Sequence, residues 1–248
     1  MFETLSAAAE IVLFTVTIFW ACNKPTVKKT ATMICIVAVC LIGINSAYAM
    51  SQGSSVFALL LENYNQSMDA YADALASQQI EIPADQLASV KDLLSVLAGC
   101  WFGIYVLEAT LDVLAALCLM WIIRKLFKHY SGWGAFSAVD LPVSVVSLLI
   151  VGLLAYAASR IPGLPQAGYV ELIGYNVLII GAIPVLIQGA AVGKGLMNKV
   201  RFGAIAQAVI TVLLLISGLF PFVVGVLGIV DFWANLRGLP RDEVETAQ

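Results

Sequence analysis

The 248-residue chain is 61% hydrophobic and only 12% charged, with a mean hydropathy of +0.94, which excludes an ordinary soluble globular domain and indicates an integral membrane protein. A formal charge of -3 and a pI near 5.1 give no basis for a nucleic-acid partner, because the thirteen Lys and Arg residues mostly sit in short flanks of apolar runs.

The first membrane helix is expected over residues 5–22 and the second over about 31–50. The first ten residues lack the basic stretch of a secretory signal, so residues 11–22 read as helix. Lys28 and Lys29, ahead of the apolar stretch 31–44 and the small-residue triplet Ala47, Tyr48, Ala49, make a second signal-like pattern. The apolar segment upstream favours an uncleaved helix there as well. Between the two helices, Lys24, Pro25, Lys28 and Lys29 form a basic turn that belongs in the cytoplasm, which places the amino terminus outside.

Residues 51–89 carry Glu62, Asp69, Asp73, Glu81 and Asp85 with no Lys or Arg, so an acidic loop over 51–92 is expected on the extracytoplasmic side. Leu60, Tyr64, Met68, Tyr71 and Leu75 recur at spacings of three or four, which predicts an amphipathic helix over 56–77. Such a helix either packs over the bundle or serves as a lid or docking surface, with Tyr64, Met68 and Tyr71 as the gating or docking residues. The Asn65, Gln66, Ser67 triplet matches a glycosylation pattern too common to carry weight. Pro83 opens a fresh segment that leads into the third span.

That span, 93–123, would extend roughly 46 Å as one helix and must tilt or project beyond the hydrocarbon. Arg124, Lys125, Lys128 and His129 fix its end in the cytoplasm, and His129 among lysines reads as a solvated flank. Turn formers and aromatic residues from 130 to 141 lead into a fourth span over 141–159. Arg160, Pro162, Gly163 and Pro165 make an external turn, and a fifth span runs from about 169 to 193, ahead of Lys194, Lys199 and Arg201. The last tract, 202–233, is interrupted by Ser217, Gly218 and Pro221. One tilted helix would end outside, whereas two short helices would return Arg237 and Arg241 to the cytoplasm, and the basic flanks favour two.

The expected fold is therefore all-α: a polytopic transmembrane bundle of 6–7 segments with one acidic extracytoplasmic helical loop. Its parts are two helices in 1–50, the loop in 51–92, the long third helix and basic flank in 93–129, a carboxyl-terminal bundle in 130–237 and a cytoplasmic tail in 238–248.

Glu108 and Asp112 are the residues hardest to explain as passive structure. They lie one turn apart on one face of an apolar helix, where an ionisable group costs at least about 3 kcal/mol. Two such groups need a proton, a cation or water between them, or hydrogen bonds from neighbouring helices. With Asn176 and Gln188 of the fifth span they form the candidate ligand-binding set. Pro184 is a candidate gating position, because it cannot donate to the carbonyl of residue 180. Glu171 and Tyr175 are rim residues. Asp231 and Arg237 are too far apart for a direct helical pair, and an interfacial network around them is expected. Gly99 with Gly103, and Gly189 with Gly193, have the spacing that lets membrane helices approach closely.

No metal site, catalytic residue or cofactor is assigned: the five cysteines have no zinc spacing and no nucleophile has a convincing base. An enzyme is the least favoured class.

From 136 to 237, an aromatic-proline approach, two spans, a basic turn and a long tract ending in Gly228, Asp231, Phe232, Trp233 and Arg237 resemble the YybS-like bacterial membrane proteins, over about 40% of the chain. The resemblance implies a multi-pass protein of the bacterial plasma membrane. It also suggests a distant likeness to the substrate-binding subunits of energy-coupling-factor transporters, hence a small-molecule substrate and an ATPase partner. Any ATPase must be another chain, since no G-x-x-x-x-G-K-[ST] element is present. A small-molecule capture or transport component, with a small-molecule substrate or a cation as its ligand, is the leading function. A non-catalytic assembly factor that docks a membrane protein through the acidic helix is the alternative.

Overall fold

Apolar runs of this length satisfy their backbone amides in hydrocarbon only as helices or closed barrels. The computed structural model describes residues 2–22, 27–79, 83–126 and 136–239, and among them all regular structure is helical. The helices are α1 (Phe2–Ala21), α2 (Val27–Ser51), α3 (Val56–Ser77), α4 (Ala84–Gly99), α5 (Trp101–Leu126), α6 (Ser144–Ser159), α7 (Ala167–Lys199), α8 (Ala204–Ile216) and α9 (Phe220–Ala234), with a 3-10 turn at Phe136–Ala138. Lys24, Glu81, Lys128, His129 and the tail from Arg241 lie outside the described residues.

Among the described residues, three helices are long and apolar enough to cross a membrane: Lys29–Ser51 within α2, Trp101–Met120 within α5, and Ala167–Lys199, which is α7. Shorter apolar helices cover Glu10–Ala21, Ser144–Ser159, Ala204–Leu214 and Phe220–Ala234. The protein is thus an all-α, multi-pass helical bundle.

Two groups of helices make up the bundle. Helices α1, α2 and α5 pack around Val37, Leu41, Ala109 and Val113, with Ala21, Ala116 and Met120 closing the other end of α1 against α5. Helices α6, α7 and α9 pack around Val146, Val185 and Phe232. The two groups meet where α5 touches α7.

Contact is close because glycine occupies the crossings. A Cβ on Gly174 would stand 2.9 Å from the Tyr156 backbone of α6, and one on Gly189 would stand 1.8 Å from the Val224 carbonyl of α9. Lipid supplies no hydrophobic drive for helix association, so backbone approach through small residues takes its place. The Gly189-x-x-x-Gly193 spacing contributes only its first member. A Cβ on Gly193 would meet nothing nearer than 4.0 Å, and the close partner of Gly189 is Gly228 on α9.

The periodic segment 56–77 is helix α3, with the bounds its spacing predicts. Ser55 caps it, its side chain accepting from the Ala58 N–H at 3.2 Å. Helices α3 and α4 form a hairpin tied by Lys91 and Asp69 at 2.7 Å, an exposed pair worth at most about 1 kcal/mol.

The expectation of one long third helix is corrected: the chain leaves helical geometry at Cys100, and α4 ends before α5 begins. In an unbroken helix the Gly103 N–H would donate to the Gly99 carbonyl. Instead the Asn176 carboxamide of α7 sits between them. Its oxygen accepts from Gly103 N at 2.7 Å and its nitrogen donates to Gly99 O at 2.9 Å. The last apolar tract is two helices, separated at Gly218, whose φ of +69° suits glycine, and Pro221 lies in the first turn of α9.

Candidate functional site

Glu108 and Asp112 lie on α5 either side of the midpoint of the Trp101–Met120 span, and both side chains are half-buried. Their helix presents Tyr105, Ala109 and Val113 to the α2 core. Glu10 of α1 lies within electrostatic reach of both carboxylates. A third acid, on the neighbouring helix, thus bears on the pair electrostatically. The buried Tyr105 feels Glu108 and Glu10 together with Tyr64 of α3, so α3 brings one of its expected gating residues close to the acidic wall. Met68 is half-buried and Tyr71 exposed further along α3. Among the described residues no group of three or more His, Cys, Asp or Glu side chains is arranged to hold a metal ion.

The four expected ligand residues do not converge. Asn176 occupies the α4–α5 break, where its nitrogen also donates to Leu172 O at 2.8 Å, so every polar atom of its side chain is engaged. Gln188 lies on another side of α7, among α6, α9 and the segment that leads into α6. Pro184 is half-buried one turn before it, within an unbroken α7.

Around Gln188 is the most buried polar network of the described chain. The Gln188 side chain accepts from Leu141 N at 3.1 Å and donates to Asp140 Oδ1 at 2.8 Å and Asp231 Oδ2 at 3.0 Å. Arg237 donates from Nη1 to the Ser137 and Val139 carbonyls at 2.9 and 2.6 Å. From Nη2 it donates to Asp140 and Asp231 at 3.2 and 2.8 Å. Gln188 and Asp231 are fully buried and the Arg237 side chain is 3% exposed.

Asp231 and Arg237, too far apart to pair along one helix, meet in a network because the helix ends between them. Helix α9 stops at Ala234, and Asn235, with φ +43°, turns the chain so that the guanidinium folds back onto Asp231. The network locks α9, α7 and the approach to α6 together and leaves Gln188 with no spare polar atom.

A third polar group lies at the opposite end of α7. Arg160 donates to Glu171 at 2.5 Å and to the Tyr156 hydroxyl at 3.0 Å, while Tyr175 donates to Glu171 at 3.0 Å. The Tyr156 hydrogen bond, and after it the Glu171 charge, hold the exposed Arg160 guanidinium above its already high ordinary value. This group staples the α6–α7 turn.

A family model described as "Predicted membrane protein (DUF2232)" matches residues 7–232. The chain belongs to that family. The DUF2232 match runs from α1 into α9, so it takes in Glu10, Glu108, Asp112 and Asp231, and it ends at Phe232, ahead of Trp233 and Arg237. No curated protein and no solved structure matches the chain.

Glu10 and Asp140 are functional candidates that the sequence reading missed. Glu10 had a local signal, a lone acid in the apolar first span. Asp140 had none, because its partners lie 48 and 97 positions further along.

Proposed function

We propose that this DUF2232 protein is a small-molecule capture or transport component that receives a cation, a proton or the cationic part of a substrate at the carboxylates of Glu10, Glu108 and Asp112. The observation that carries this reading is the pair of half-buried carboxylates, Glu108 and Asp112, one turn apart at mid-span on an apolar helix, with Glu10 of α1 within electrostatic reach. Like charges in a low-dielectric setting are costly together, and a cation or a proton between them relieves that cost. Tyr64 of α3 lies within electrostatic reach of Tyr105 on α5, and α3 packs on the α2–α5 core through Val56, Leu59 and Leu60, which supports a role for the hairpin in admitting the ligand.

In this proposal the protein sits in a bacterial plasma membrane with its amino terminus and the α3–α4 hairpin outside, so the ligand enters from the hairpin side. If movement is driven by ATP, the ATPase is a separate subunit. A second reading, a non-catalytic assembly factor, draws on the hairpin itself: its two helices pack on each other and present the exposed acids Glu62, Asp69 and Asp73 with Tyr71.

Uptake of a panel of labelled organic and inorganic cations into proteoliposomes tests the first reading. Glu108→Gln and Glu10→Gln should each cut uptake of the transported species at least tenfold. Unchanged uptake in a Glu10→Gln, Glu108→Gln, Asp112→Asn triple variant would remove these acids from the mechanism. Loss of a co-purifying membrane protein on deletion of the hairpin, with no cation taken up by the intact chain, would favour the assembly factor.

A further inference from the structure

We propose that the groove between the end of α7 and the start of α8 is a binding site for an anionic phospholipid, which holds α8 to the bundle. After Lys199 the chain bends through residues 200–203, and α8 diverges from α7 instead of packing along it. The gap has a volume of about 440 Å³. Met197 of α7 with Ala204, Ala208 and Val212 of α8 give it an apolar floor, and Lys194, Gln207 and Thr211 give it a polar wall.

Lys194 is held in place on that wall. It donates to Gln207 Oε1, and Gln207 is itself fixed by donating to Asn198 Oδ1 at 3.1 Å and to the Phe202 carbonyl at 2.8 Å. An ammonium has three donors, and among the described residues Lys194 uses one of them. Two remain for an anionic acceptor in the groove.

Charge and hydrophobicity around the gap match one kind of occupant. From Lys194 to Ile216 the sequence has three cations, Lys194, Lys199 and Arg201, and no acid. Lys199 and Arg201 are exposed on the bend, where they add positive potential. At its other end the floor continues into the exposed apolar face of α8, through Val212 to Val209 and Ile216. In hydrocarbon an open apolar gap is filled by whatever chain lies beside it. A phosphate at Lys194 with an acyl chain along Ala208 and Val212 satisfies both ends at once, whereas inorganic phosphate would leave the apolar floor uncovered.

The full-length protein in nanodiscs of mixed phosphatidylglycerol and phosphatidylcholine, released into native mass spectrometry, gives the measurement. The wild type should retain phosphatidylglycerol in preference to phosphatidylcholine. Lys194→Gln should lower phosphatidylglycerol retention about fivefold, the worth of one cation near an anionic lipid surface, while Lys194→Arg keeps it. Ala208→Trp, which fills the floor, should lower retention of both lipids. Equal retention of the two lipids by the wild type, unchanged retention in Lys194→Gln, loss of retention in Lys194→Arg, or displacement of the lipid by millimolar inorganic phosphate would each overturn the proposal.

Discussion

Arg237 is the residue on which the most polar structure depends. Its guanidinium reaches two carbonyls and two carboxylates from a nearly dry position, and one of those carboxylates, Asp231, is fully buried. Removing one partner of a buried ion pair strands the other charge, at a cost of about 3–5 kcal/mol. Arg237→Gln should therefore lower the thermal midpoint of the purified protein sharply, and adding Asp231→Asn should recover part of the loss. Recovery would identify the stranded carboxylate as the source of the damage; failure to recover would place the cost in the lost Ser137 and Val139 contacts. The sequence presented Asp231 and Arg237 as members of an interfacial network at the end of the last tract, and Gln188 as a ligand candidate within the fifth span. It did not present them as one group, because their meeting depends on the turn at Asn235 and on helix contacts across long separations.

Between helices, the α4–α5 break is an interaction rather than a local weakness. Asn176 substitutes for both ends of the Gly99–Gly103 backbone bond. In Asn176→Leu those two backbone groups are able to pair with each other, so the net energetic cost should be modest, about 1 kcal/mol, while the geometry changes. Spin labels at Val90 on α4 and Tyr169 on α7, both exposed, report this: their distance distribution should move as α4 aligns with α5. An unchanged distribution would mean that Cys100 breaks the helix without help. Helix α3 makes the instructive contrast. Its bounds were legible because an apolar stripe at a period of 3.6 is a local property, whereas the break at Cys100 is written in a residue of α7. The two-helix reading of the last tract succeeded for the same local reason, with Gly218 and Pro221 three positions apart in the chain.

At the scale of the whole molecule α7 is the hub, meeting α5, α6 and α9 on different faces. Gly189→Ala puts a methyl group 1.8 Å from the Val224 carbonyl, and a backbone carbonyl cannot step aside as a side-chain end can. That substitution should cost about 3 kcal/mol and reduce cysteine cross-linking between α7 and α9. Gly225→Ala, whose added Cβ would meet nothing nearer than Leu186 at 4.0 Å, should leave both unchanged. Equal effects at the two positions would show that helix propensity, not the crossing, sets the outcome. The acidic wall follows a similar division: Glu108 and Asp112 declared themselves by their spacing on one helix, while Glu10 joined them only through the packing of α1 on α5.

The Asn176 contact also has a history in time. The amide that completes α5 is synthesised 73 residues after Gly103. At about 5–20 residues per second, the glycine face of α5 waits roughly 4–15 s for its partner. During that interval Gly99 and Gly103 have nothing to hold them apart, and α4 and α5 are able to run as one long helix. The arrival of α7 would then bend a helix that had formed straight, so that the break at Cys100 is among the last features of the nascent protein to appear.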